Sequence, residues 1–303
     1  MTTAAPPTGK QVRISHGDHE VWTVAVGAGL RSYTIAGRGL VDGYGEFDRC
    51  DGGRGQTLVP WPNRIAGGTY SLDGATHQLA LTEPKAGNAI HGLARWVPWE
   101  LLDATESACT WSYTIPPQPG WPTSLACTVT YALDEAGLTV TTAATNLGRQ
   151  PCLYGTGHHP YLSVGSDSVD GWTLEVPAQT WLRTDSTGIP VGSAAVGGTE
   201  FDFRQPRQIA GTVLDTCFGD LATGADGGWR VLLSGPDGSV AIWGDRTHKW
   251  VQIFSGDTLS TAARRRGLAV EPMTCPADAF NSGAGALRLE PGGAISSAWG
   301  IST

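Results

Sequence analysis

Residues 124–146 read SLACTVTYALDEAGLTVTTAATN. Cys127, Val129, Tyr131 and Leu133 alternate with Thr128, Thr130 and Ala132, the period of two that a strand shows when one face is buried. The turn-forming run DEAG at 134–137 interrupts the pattern, and Leu138 and Val140 then resume it. Two alternating arms around a short turn predict an antiparallel hairpin.

The same design recurs on either side. TYSLDGATHQLAL at 69–81 reads as a hairpin in which Asp73-Gly74 supplies the positive φ angles of a tight turn. WRVLLSGPDGSVAIWGD at 229–245 repeats it around Pro236-Asp237-Gly238, and KWVQIFSG at 249–256 reads as a further strand. ALRLEPGGAISSAWGIS at 286–302 closes the chain around Pro291-Gly292-Gly293. Helical periodicity is nearly absent. TAARRR at 261–266 has room for one helical turn, which Gly267 stops. The expected fold is all-β and antiparallel, with two large sheets packed face to face.

Composition agrees. The 42 glycines among 303 residues, with only 16% charged residues, suit short strands and tight turns better than helices. Residues 1–11 read as a loose arm, and residues 12–303 hold no linker-like stretch and no fixed repeat, which predicts one large domain. The net charge of −8 argues against nucleic acid or an anionic membrane as partner. No run approaches the length of a membrane span, and the polar N-terminus has no secretion-signal core. A cytoplasmic location and a small neutral ligand are the expectation. The six cysteines stand singly without a C-x-x-C pair, a spacing that offers neither a zinc site nor a disulfide framework and predicts buried free thiols.

Four segments place polar side chains beside turns. In LVPWPNRIAGGTY at 58–70, Asn63 and Arg64 have several donors for hydroxyl groups and Trp61 has an apolar face for a pyranose. Alone, the segment reads better as a surface turn with an exposed arginine. In NAIHGLARWVPW at 88–99, His91 is a binding candidate or a structural histidine beside apolar neighbours. In GTGHHPYL at 155–162, His158 and His159 point to opposite faces of a strand, so one pocket receives only one of them, which disfavours metal binding by the pair. In GLAVEPMTCPADAFN at 267–281, Glu271 follows an apolar strand and precedes Pro272. A carboxylate in that setting has its pKa raised toward the range of a neutral-pH base, unless it is an ordinary strand-end glutamate at the surface.

Taken in order, NRIAGGTY (63–70), AIHG (89–92), HPY (159–161), LDTCF (214–218), VQIFSG (251–256) and EPMTCPADAFN (271–281) make the chain resemble the aldose 1-epimerase, or galactose mutarotase, family. The resemblance runs from about residue 20 to the end and implies a large antiparallel β-supersandwich. It implies Glu271 as the general base at the C1 hydroxyl and His159 as the general acid at the ring oxygen. It also implies Arg64, His91, Asp215 and Gln252 as substrate-holding residues, with Asn63 beside them and Trp61 and Phe254 as pocket walls. The reaction needs no cofactor and no metal, and the partner is a free monosaccharide; a monomer or weak homodimer is expected.

Two positions depart from the galactose-type pattern. Leu93 stands where a second glycine is usual, and His158 where an asparagine is usual. W-P-N-R and H-P-Y resemble a bacterial branch that includes a mutarotase for a sulfonated glucose. An anionic hexose is therefore one alternative, and the Arg264-Arg265-Arg266 run either meets such a sugar or is a solvated loop. A non-catalytic sugar-binding module is another, though binding alone needs no proton-transfer pair. A β-sandwich glycoside hydrolase is a third, using Glu271 and Asp215 as its two carboxylates.

Overall fold

The structure is a computed structural model that describes residues 4–165 and 168–303. The stretch at 124–146 forms two ten-residue strands, Leu125–Asp134 and Gly137–Asn146, paired antiparallel with Asp134 opposite Gly137. Leu125, Cys127, Val129, Tyr131 and Leu133 are all buried, as the alternation requires. The Asp134 carboxylate accepts the Ala136 N–H at 2.8 Å and fastens the turn. At the second predicted hairpin, Asp73 and Gly74 take φ of 51° and 80°, the left-handed pair that the tight turn needs.

The hairpin of Leu125–Asp134 and Gly137–Asn146 is the spine of a nine-stranded sheet. In spatial order the strands are Glu100–Ala104, Ala108–Ile115, Leu125–Asp134, Gly137–Asn146, Ala294–Ser302, Gly238–Gly244, Trp229–Gly235, Thr173–Glu175 and Arg207–Gln208. An eight-stranded sheet runs Pro190–Ala195, Ala178–Thr184, Asp215–Leu221, Trp250–Phe254, Leu268–Met273, Gly157–His158 and Thr57–Leu58, with Tyr161–Leu162 also paired to Leu268–Met273. The ring of His158 in the second sheet contacts Thr142 and Trp299 of the first, so apolar faces of the two sheets share one core. Burying both faces of Leu268–Met273, whose six residues are all buried, lets an ionisable side chain sit in a central strand away from bulk water.

Several details differ from the sequence expectation. Of the arm expected over 1–11, residues 1–3 lie outside the described residues, Thr8 is buried, and Gln11 opens a strand paired with the one that ends at Val24. That strand, Gln11–His16, starts a four-stranded antiparallel unit with His19–Val24, Gly29–Ile35 and Arg38–Gly39. Trp111 and Tyr131 of the nine-stranded sheet donate hydrogen bonds to Thr23 and to the Ala28 carbonyl, which tie this unit down. Leu287–Leu289 pairs with Cys152–Tyr154 rather than with Ala294–Ser302, because Gly292 and Gly293 bond to Asn146 and turn the chain between sheets.

At 261–266 only hydrogen-bonded turns form, and the one α-helix among the described residues is Ala279–Ser282. Within the basic run, Arg264 and Arg266 are exposed as a solvated loop would be, but Arg265 turns inward and pairs with Asp170 and Asp257. All six cysteines are free and buried. No helix among the described residues is long and apolar enough to cross a membrane.

Candidate active site

Glu271 sits in Leu268–Met273, and its register partner across the sheet is Gln252 in Trp250–Phe254. Gln252 Nε2 donates to Asp215 Oδ1 at 2.6 Å, and Asn63 Nδ2 donates to Gln252 Oε1 at 3.4 Å. On the other side of Glu271 lies His159, whose Nε2 is 3.4 Å from Glu271 Oε1. Strand pairing therefore sets Gln252 opposite Glu271, while Asp215 reaches Gln252 from two residues along the next strand and His159 comes from the link between Gly157–His158 and Tyr161–Leu162. Together with Asn63, Arg64 and His91, they line a cavity of about 250 Å³. Every residue that the sequence singled out for catalysis or binding reaches this cavity. Of the two weaker wall candidates, Phe254 lines it. Trp61 does not: its ring is buried edge-on against Phe280, 5.7 Å between centres.

Arg64 and His91 come from a small two-stranded ladder, Arg64–Ala66 with Asn88–Ile90. At its mouth Asn63 and His91 both take left-handed φ, 55° and 62°, and bond to each other. The Asn63 carbonyl accepts the His91 N–H at 2.8 Å, and His91 Nδ1 accepts the Asn63 N–H at 3.1 Å. With Nδ1 an acceptor, the proton of neutral His91 is on Nε2. Strained non-glycine backbone at two facing cavity residues is a common mark of a functional site. The next residue must be glycine: a Cβ at Gly92 would lie 2.0 Å from the Val59 carbonyl oxygen.

The electrostatics single out one pair. Burial pushes the Glu271 carboxyl well above the ordinary carboxylate range, and the Asp215 charge adds to this while Arg64 opposes it. Burial pushes the His159 imidazolium down to about 3, with the Arg95 and Arg54 charges acting in the same direction. Burial also pushes His91 well below its usual value. The Glu271–His159 pair thus favours its uncharged form, with the proton on the carboxyl. Glu271 Oε2 and His159 Nδ1 are buried without a hydrogen-bond partner in another residue, and both are ionisable groups in one cavity. His158, next in sequence, faces the opposite way, with its nitrogens 2.7 Å from Thr142 Oγ1 and 3.4 Å from Thr57 Oγ1.

Sequence reasoning missed four contributors. Glu83 lines the cavity and grips Arg64 through two bonds of 2.8 and 2.9 Å, which balances its charge. Gly52 and Gly53 bring backbone against the site, and a Cβ on Gly53 would lie 2.8 Å from His159 Cδ2. Tyr161 stacks on His159 at 5.1 Å and 15°. The glycine cluster in CDGGRG at 50–55 was the available signal for a close backbone approach.

Comparisons with known proteins bear on the family and the fold. A family model described as aldose 1-epimerase matches residues 10–302. The uncharacterized protein YihR of Escherichia coli (strain K12) is 36% identical over 286 residues, which cover 94% of this chain and 90% of that one. An aldose 1-epimerase of the same organism is 26% identical over 249 residues, 73% of this chain and 71% of its own. In solved structures, the GalM/aldose epimerase homologue from C. elegans superposes with a TM-score of 0.86 at 20% identity, over 97% of this chain and 98% of that one, which shows a shared fold. The near-complete family match, together with a relative above 30% identity along nine-tenths of both proteins, places this chain in the aldose 1-epimerase family.

Proposed function

We propose that the chain interconverts the α and β anomers of a free aldohexose by acid–base opening and reclosure of the ring. The observation that carries this reading is the 3.4 Å approach of His159 Nε2 to Glu271 Oε1 in a buried cavity. The cavity, at about 250 Å³, is below the usual size of drug-binding pockets and suits a single sugar ring. From the ionised pair, which burial makes the minor form, Glu271 takes the proton of the C1 hydroxyl while protonated His159 gives its proton to the ring oxygen. The C1–ring-oxygen bond breaks and the free aldehyde forms. Charge separation vanishes in this step, and burial favours the uncharged pair that results. After rotation about C1–C2 the two groups act in reverse and close the ring on the other face.

Arg64, His91, Asp215, Gln252 and Asn63 supply donors and acceptors for the remaining hydroxyls. A positioned acid and a positioned base are each worth about 10²–10⁴-fold, ample for a reaction that also proceeds unaided in water. The pairing of Glu271 with a histidine rather than a second carboxylate favours this reading over glycoside hydrolysis.

The test is magnetisation-exchange NMR between anomers of glucose, galactose and a 6-sulfo-glucose, with calorimetric binding measured alongside. Faster exchange for at least one sugar is expected, and the preferred sugar separates the neutral from the anionic reading. Binding of a sugar without faster exchange would overturn the enzyme reading in favour of a sugar-binding protein.

A further inference from the structure

His159 lacks the anchor that usually orients a proton-transferring imidazole. Its Nδ1 is buried and makes no hydrogen bond to another residue; only its own backbone carbonyl bears on the ring. What holds the ring is aromatic and backbone surface. Tyr161 lies nearly parallel to it, with centres 5.1 Å apart and planes 15° apart. His91 meets it edge-on at 5.6 Å, and the Gly53 backbone closes on Cδ2.

Tyr161 is itself locked. It pairs in register with Ala269, two residues before Glu271 on the same strand, and its hydroxyl donates to the Gly52 carbonyl at 2.8 Å. The Arg54 guanidinium carbon lies 4.4 Å from the centre of the Tyr161 ring. Arg54 is only 5% exposed and is held by Asp42 at 2.8 Å and by Asp51. A cation on an aromatic face is an attractive contact, so Arg54 secures the ring against which His159 rests.

We propose that the Tyr161 ring, backed by the Arg54 guanidinium, is the positioning element for His159, standing in for the hydrogen bond that Nδ1 lacks. The inference rests on the reading of His159 as the general acid. A carboxylate on Nδ1 would make the imidazole a better base. A nearby cation behind an aromatic ring does the reverse and makes the imidazolium readier to give up its proton. The other charged or titratable groups near His159 are Glu271 on its strand, His91 and Arg95 on the segment after the small ladder, and Asp42 and Asp51, which partly offset Arg54.

The experiment compares full-length wild type, Tyr161→Phe, Tyr161→Leu and Arg54→Gln, with Tyr161→Leu also placed in a His159→Asn background. Anomer exchange and the NMR titration of the His159 ring are both recorded. Tyr161→Leu should lower kcat by about 10²-fold, the scale of a misplaced catalytic group, with KM little changed. Tyr161→Phe should keep most of the rate, and Tyr161→Leu should cost nothing further once His159 is gone. In Tyr161→Leu the ring-current shift of the His159 protons should disappear. In Arg54→Gln, which keeps a planar group on Tyr161, the His159 pKa should rise. Equal losses with and without His159, or equal losses in Phe and Leu, would overturn the proposal. Should wild type exchange no anomers, the function reading fails, and the NMR titration still decides this one: unchanged His159 shifts and pKa in both variants would overturn it.

Discussion

The region around His158 and Asn146 and the region around His159 and Glu271 are built by the same antiparallel pairing and buried to the same degree, yet they treat polar atoms oppositely. Asn146 bonds to Thr123, to the Gly148 N–H and to the carbonyls of Gln150 and Leu289, and both ring nitrogens of His158 meet threonine hydroxyls. Glu271 Oε2 and His159 Nδ1 have no partner in another residue. The Asn146 and His158 side chains are satisfied, although the Trp299 indole N–H beside His158 is not; each orphan costs about 1–3 kcal/mol. Two ionisable groups left unsatisfied in one cavity, with pKa values driven in opposite directions, are candidates for proton transfer.

The widest separation between the regions should come from two adjacent substitutions. His159→Asn should lower kcat for anomer exchange by about 10²–10⁴-fold, the worth of one acid–base group, with the thermal midpoint little changed. His158→Ala should do the reverse: it strands Thr142 and destabilises the fold by about 1–3 kcal/mol in urea melts, with a much smaller effect on kcat. If His158→Ala costs more activity than His159→Asn, the division between the two regions is wrong.

A smaller effect is expected from pH. An unfolded chain protonates its histidines below about pH 6.5, whereas burial holds His91, His158 and His159 neutral in the folded chain. The unfolded state then binds more protons, so the stability from these groups is full above about pH 6.5 and is lost as pH falls, toward about 3 for His159. Glu271 has a raised pKa and works in the opposite sense above about pH 4.5, one group against three. Urea melts should therefore show lower stability at about pH 5.5 than at about pH 7, with each neutral histidine contributing at most about 1.4 kcal/mol per pH unit. His158→Ala should flatten that slope, and an unchanged slope would show that His158 is not held neutral by the fold.

What the sequence made legible follows from what local pattern encodes. The period-two run at 124–146 announced its strands, and Asp73-Gly74 announced its turn, because both are properties of neighbouring residues. The candidate site residues were legible as motifs, and the strand register then explains why Gln252 stands opposite Glu271, with Asp215 reached through a side-chain bond. Glu83, Tyr161 and Arg54 were not legible in this way. Their significance lies in pairings with Arg64, His159 and Asp42 that the topology creates. The same holds for Arg265, whose partner Asp170 is 95 residues away, so that a basic run hides one inward-facing member between two solvated ones. Trp61 misled because a tryptophan between prolines looks like a sugar platform, while here its ring fills space against Phe280.

The central claim is that Glu271 is the base at the unsatisfied centre of the second region. Polarimetry on freshly dissolved α-D-glucose and α-D-galactose, with wild type and Glu271→Gln side by side, tests it most directly. The account predicts that wild type accelerates the approach to equilibrium for a sugar that it accepts, and that Glu271→Gln, which fills the same volume without a basic oxygen, loses about 10²–10⁴-fold of that acceleration. A Glu271→Gln protein that matches wild type on an accepted sugar would contradict the account.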